Sequence, residues 1–162
     1  MPAHKLVLDE VFEQPYKLIA IHSQVEEYKL AYLLNKHLNL RLARSPREID
    51  LCAGAENILF AHFVYEDQKK DCRYHLVSNI AKREEISGVG ENSLFMGEHV
   101  AVKKSFLLPE FKQVDFFVKI EDELEWVNER LLISLILEIP QISTAYAIDF
   151  DRIKTKENLI FD

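Results

Sequence analysis

Hydrophobic and polar positions recur along this chain with two periods, near two residues and near 3.6, and the switches between them mark its elements. Lys5 to Leu8 is short, apolar and strand-like, and Tyr16 to His22 predicts a buried strand. Ser23-Gln24-Val25-Glu26 has the form of a capping box, with a hydroxyl for the N3 amide and a carboxylate that reaches back. The helix it opens should end near Leu38, with Val25, Tyr28 and Tyr32 on its core face and Leu33 and Leu34 beside them. Leu38, Leu40 and Leu42 then alternate with Asn39, Arg41 and Ala43, the pattern of a half-exposed strand that Ser45-Pro46 ends.

Asn57 to Tyr65 and Cys72 to Asn79 carry β-branched and aromatic residues around the polar turn Glu66 to Asp71, so a hairpin is expected. If it is symmetric about that turn, His62 faces His75. From Ile80 to Gly97 the pattern dissolves, and Gly88, Gly90 and Gly97 fall there, so residues 81–97 read as a mobile loop. Val102 to Leu107 and Val114 to Ile120 are strands separated by Pro109. A helix is expected from about Asp122 to Glu138, with Pro140 after it and a last strand from Thr144 to Asp149. The tail, 150–162, ends in Leu159-Ile160-Phe161 and is expected to dock.

Two strand-helix-strand units, Tyr16 to Leu42 and Val114 to Asp149, frame the hairpins. The expected fold is one α+β domain over 1–162. It has a single mixed, largely antiparallel sheet of about six or seven strands, with two main helices on one face. Ferredoxin-like or ACT-like packing describes such an arrangement. In the second helix Leu124, Val127, Leu131 and Leu135 form a core stripe, flanked by Leu132, Ile136 and Ile139. Trp126, Ile133 and Leu137 lie roughly opposite and have no evident cover. They are the candidate interface, and a second copy of the chain is the expected partner.

At 162 residues, 48% hydrophobic and 29% charged, the composition is that of a soluble globular domain. Cys52 and Cys72 read as reduced thiols, and there is neither a signal-peptide pattern nor a long apolar run. A cytoplasmic protein without a membrane span is expected. The net charge of -7 makes nucleic acid an unfavoured partner. One basic segment, residues 29–47, holds Lys36, Arg41, Arg44 and Arg47 without an acid between Tyr28 and Arg47. It reads first as a solvated face.

Chemistry-bearing motifs are scarce. No histidine or cysteine spacing matches a metal site, no Gly-x-Ser-x-Gly elbow occurs, and Gly88-Val89-Gly90 lacks the spacing of a phosphate cradle. No catalytic residue, cofactor or metal is assigned. Glu110 and Asp115 are the one carboxylate pair that invites an acid–base reading. The preferred reading is structural: Pro109 sets a bend, Glu110 accepts from loop amides, and the turn fixes register between two strands.

Leu108, Pro109, Glu110, Val114, Asp115 and Phe116 carry a resemblance. The stretch from Leu108 to Phe116 resembles the signature of the bacterial IPExxxVDY family, with Leu108 where Ile is usual and Phe116 where Tyr is usual. His4 to Glu10, Ala31 to Leu38 and Ile139 to Phe161 extend it over nearly the whole chain. The resemblance implies a bacterial source and no particular activity. Three readings of function remain open. The first is a small cytoplasmic interaction or regulatory protein without catalysis, working as a homodimer or with an unidentified protein partner. The second is a nucleic-acid or ribonucleoprotein accessory using residues 29–47. The third is a small-ligand sensor or enzyme using Glu110 and Asp115.

Overall fold

The computed structural model describes residues 16–54, 56–86 and 100–161. Its elements in chain order are β1 (Lys17–Ser23), α1 (Glu27–Leu38), β2 (Ala43–Arg44), β3 (Ile49–Ala53), β4 (Glu56–Phe60), β5 (His62–Asp67), β6 (Cys72–Ser78), β7 (Ile80–Ile86), β8 (Val100–Phe106), β9 (Phe116–Asp122), α2 (Glu129–Leu137) and β10 (Ile142–Ala147). Six strands form one sheet in the order β10-β1-β9-β6-β5-β2, and every pair in it is antiparallel. Two small hairpins, β3-β4 and β7-β8, stand apart. The chain is α+β. The path β1-α1-β6-β9-α2-β10, with β10-β1-β9-β6 side by side, is the ferredoxin-like split βαβ arrangement. No helix among the described residues is long and apolar enough to cross a membrane.

The central strands are apolar on both sides, so the sheet needs cover on both faces. On one face Ile19, Ile21, Tyr74, Leu76, Phe116, Val118 and Ile120 pack under Leu30, Leu33 and Leu34 of α1 and under Ile136 and Ile139. On the other, Leu18, Ala20, Val77 and Phe117 pack under Leu108, Phe111 and Val114, joined by Ile153 and Leu159 from the C-terminal segment. The second layer is not helical in the usual sense. It consists of single 3-10 turns, Pro109–Phe111, Phe150–Arg152 and Lys156–Leu159, and the loops between them.

Several expectations change. Ser23 does not cap α1. It is the buried last residue of β1, its hydroxyl donates to the carbonyl of Gln141 at 2.8 Å, and Glu26 at the helix start makes no side-chain cap. The core face of α1 is Leu30, Ala31, Leu33 and Leu34, while Tyr28 and Tyr32 are exposed. Residues 38–42 are not a strand. The helix leaves through Asn39 in the left-handed region, and Asn35 pins Leu42 by accepting from its amide at 2.8 Å and donating to its carbonyl at 3.0 Å. The first strand-helix-strand unit therefore closes on β6. The predicted strand 57–65 splits, because β4 pairs with β3 and only β5 pairs with β6.

Residues 80–86, read as the start of a loop, form β7 against β8. Residues 87–97 of that loop and the strand expected at 5–8 lie outside the described residues. The second helix is shorter than expected. Asp122 accepts from the amides of Trp126 at 3.0 Å and Val127 at 2.7 Å, which ties residues 122–127 into a turn, and Asn128 caps Leu131 at 3.1 Å. Starting at Glu129 rotates the buried face. Ile136 and Ile139 are buried and Leu132 and Ile133 packed against them, whereas Leu124 and Leu131 are exposed. Ile136→Ala should therefore cost about 2–5 kcal/mol of unfolding free energy. Leu131→Ala should change it by no more than about 0.5 kcal/mol in chemical denaturation.

Candidate functional site

The chain between β8 and β9 is organised by one side chain that carried no sequence signal, Asn79. It lies fully buried between β6 and β7. Its carboxamide donates to the carbonyls of Phe111 at 2.9 Å and Val114 at 2.8 Å and accepts from the amide of Leu108 at 2.9 Å. Its backbone donates to Asp115 and accepts from Leu107, both at 2.9 Å. A buried bend has backbone groups that no ladder can pair, and Asn79 satisfies them. Leu108, Val114 and Phe116 are then free to enter the core, while Pro109 sits outside at the head of the 3-10 turn.

The two carboxylates of this segment face different partners. Glu110 Oε1 accepts from the backbone amides of Lys154 at 2.8 Å and Thr155 at 3.0 Å, and the Thr155 hydroxyl bonds both carboxylate oxygens. Burial works to raise the pKa of Glu110, but the bonds from Thr155, its own amide and Lys154 outweigh it and hold the pKa below the ordinary value. Asp115 Oδ2 instead accepts from the amide of Ser23 at 2.9 Å, at the end of β1. An acid–base pair needs both groups on one substrate. Here each is committed to a separate backbone segment.

A second polar cluster lies on the sheet face beneath the C-terminal segment. His62 faces Val77 and Val64 faces His75, one step of two residues away from the symmetric expectation. A two-residue slip preserves the face, so the imidazoles still meet diagonally: His62 Nε2 and His75 Nδ1 are 2.9 Å apart. His75 Nε2 lies 3.3 Å from Glu121, and the buried Lys119 donates to Glu121 at 2.9 Å and to the carbonyl of Leu159 at 2.8 Å. Phe161 covers both imidazoles, and Lys119 lies over the rings of Phe161 and Tyr16. Thus Leu159 and Phe161 of the terminal trio contact the body while Ile160 is exposed.

Burial is the main reason that the pKa of His62 falls to about 4, with the neighbouring His75 and Lys119 adding to the effect. His75 is also lowered, by burial against the opposing pull of Glu121. The facing nitrogens are occupied by one another. Among the described residues no group of three or more histidine, cysteine, aspartate or glutamate side chains is placed to hold a metal. Cys72 donates its thiol to Asp122 at 3.2 Å, and burial with that carboxylate pushes its pKa up to about 11, so it is a poor nucleophile.

The expected interface residues separate. Trp126, 63% exposed, lies before α2 and lines a groove of about 780 Å³ with Leu131, Leu135, Leu38, Leu40 and Tyr65. Ile133 and Leu137 are on another flank of α2, Ile133 half-buried against the core. In the basic segment Arg44 is bonded to Glu48 and lies 4.0 Å from Glu27, while Lys36, Arg41 and Arg47 are exposed. No family model, curated protein or solved structure matches the chain.

Two outcomes are expected. Asn79→Ala leaves two carbonyls and one amide without partners, and at about 1–3 kcal/mol for each orphaned group it should be the most damaging polar substitution in this region. Equilibrium unfolding compares it with Glu110→Gln, which should lose on the order of 1 kcal/mol. The histidines give a pH dependence of definite sign. Their folded pKa values lie below the unfolded value, so the unfolded chain binds more protons as the pH falls. Stability should therefore drop from about pH 6.5 down to about 4, the value for His62. A His62→Asn/His75→Asn variant should lose much of that slope in thermal melts, and an unchanged slope would contradict the assignment.

Proposed function

We propose that this chain is a small cytoplasmic interaction or regulatory protein without catalytic activity, working as a homodimer. We also propose that it belongs to the IPExxxVDY family. Pro109, Glu110, Val114 and Asp115 support the family reading, and the bonds that Glu110 and Asp115 accept from backbone amides support a structural role for the motif.

One observation carries the functional reading: the groove beside α2. Trp126 and Leu131, 63% and 58% exposed, stand at a groove that also includes Leu38, Leu40 and Tyr65. Burying each such side chain stabilises a complex by roughly 1.5–3 kcal/mol. Aromatic anchors of this kind dominate protein interfaces. The rim mixes Arg41, Lys69 and Lys70 with Glu66 and Asp67, which suits a protein segment with apolar side chains better than a polyanion.

The test uses the full chain as bait in extract of its native cell, with mass spectrometry of what is retained. A specific protein should be held by the wild type and lost with Trp126→Glu/Leu131→Glu, whose circular dichroism should remain native. Retention of the same protein by the folded variant would remove the groove from the account. RNA retained in a salt-dependent way would favour the basic segment instead.

A further inference from the structure

The turn ahead of α2 is fixed by one buried side chain. The carboxylate of Asp122 accepts from the amides of Trp126 and Val127, from the Cys72 thiol at 3.2 Å and from Lys17 Nζ at 3.2 Å. Within the turn Glu125 takes a left-handed conformation, φ 52°, which a residue with a Cβ holds only where its surroundings impose it. The turn presents two large apolar side chains to solvent, Trp126 and Leu124, the latter 64% exposed. Apolar groups held in place beforehand lose little freedom when a second surface covers them.

Charge around the adjoining groove is divided between two neighbouring turns. The register of β9 on β6 sets Asp122 beside Cys72, so the turn after β9 and the turn between β5 and β6 lie at the same end of the sheet. The β5–β6 turn supplies Lys69 and Lys70, which line the groove with Arg41 from the chain after α1. The turn after β9 carries Glu123 and Glu125. All five charged side chains are exposed, and none forms an ion pair among the described residues. The two acids that line the groove are engaged elsewhere. Glu66 pairs with Arg73 at 3.2 Å, and Asp67 accepts from the amide of Lys69 at 3.1 Å.

A two-fold interface needs a surface that is its own complement. This surface has that form: an apolar centre of Leu124, Trp126 and Leu131, cations in one turn and acids in the next. A polyanion would meet Glu123 and Glu125 at the mouth of the groove, and a partner of uniform charge would match one turn and be repelled by the other.

We propose that this surface pairs with the same surface of a second copy of the chain. The two-fold axis passes beside Trp126, so that each Trp126 is covered by the other copy's groove. The Glu123–Glu125 turn of each copy then lies against Arg41, Lys69 and Lys70 of the other. This rests on the homodimer reading above and names the second copy as the occupant of the groove.

Light scattering on the full chain at micromolar concentration decides it. The wild type should be a dimer, and Trp126→Glu a monomer with native circular dichroism. Leu137→Glu, on another flank of α2, should remain a dimer. Two charge reversals give the sharper test. Lys69→Glu/Lys70→Glu sets acid against acid across the axis, and Glu123→Lys/Glu125→Lys sets cation against cation, so each variant alone should be monomeric. Mixed in equal amounts, the two should form a heterodimer, because each reversed turn then meets its opposite. That result needs no variant at an apolar position, so it stays decisive if Trp126→Glu does not fold. Charge variants that remain dimers alone, or that stay monomeric when mixed, overturn this surface and leave the homodimer standing. A monomeric wild type overturns both and leaves the groove to a different protein.

Discussion

The buried carboxamide of Asn79 is the constraint on which the second face of the sheet depends. Without it, the chain between β8 and β9 would bury the carbonyls of Phe111 and Val114 and the amide of Leu108 unpaired. With it, the bend is a fixed platform. Leu108 and Phe111 press on the sheet, Glu110 is aimed at the amides of Lys154 and Thr155, and Asp115 closes the end of β1 at Ser23. The C-terminal segment is thereby laid across the face that α1 and α2 do not cover. The Lys119 bond to the Leu159 carbonyl and the contact of Phe161 with both imidazoles complete that cover. The polar side chains that resemble chemistry are fasteners between segments distant in sequence.

This arrangement separates structure from recognition. Glu110, Asp115, His62, His75, Glu121 and Lys119 spend their hydrogen bonds inside the fold. Apolar side-chain surface beside α2, at Trp126 and Leu131, stays exposed. The apolar groove beside α2 is where the proposed reading as an interaction protein has its support.

Much of the sheet was legible because β1, β6, β9 and β10 are apolar, β-branched or aromatic runs bounded by breakers. The antiparallel hairpin of β5 and β6 was legible from its polar turn, but not its register, since a slip of two residues keeps every side chain on its face. Helix boundaries were misread for one reason in both cases. Ser23 and Asp122 have the chemistry of helix starts, yet Ser23 is bonded to Gln141 and Asp122 holds a turn ahead of the true start. Moving the start of α2 to Glu129 put Leu131 outside and Ile133 against the core. In the second layer the docking of the tail was legible from Leu159-Ile160-Phe161, but its short 3-10 turns were not, because they leave no periodicity. Asn79, a single asparagine after a strand, has no local signal at all, since its partners lie about 30 residues away, where β8 meets β9.

Native-state hydrogen exchange tests most directly whether the motif fastens the fold. The amides of Leu108, Ser23 and Thr155, bonded to the side chains of Asn79, Asp115 and Glu110, should be protected although all three lie at the ends of or between regular elements. Leu108 should exchange only with global unfolding, at the rate of the core amides of β9. Exchange of these three amides at the rate of an exposed loop, with β9 still protected, would contradict the account.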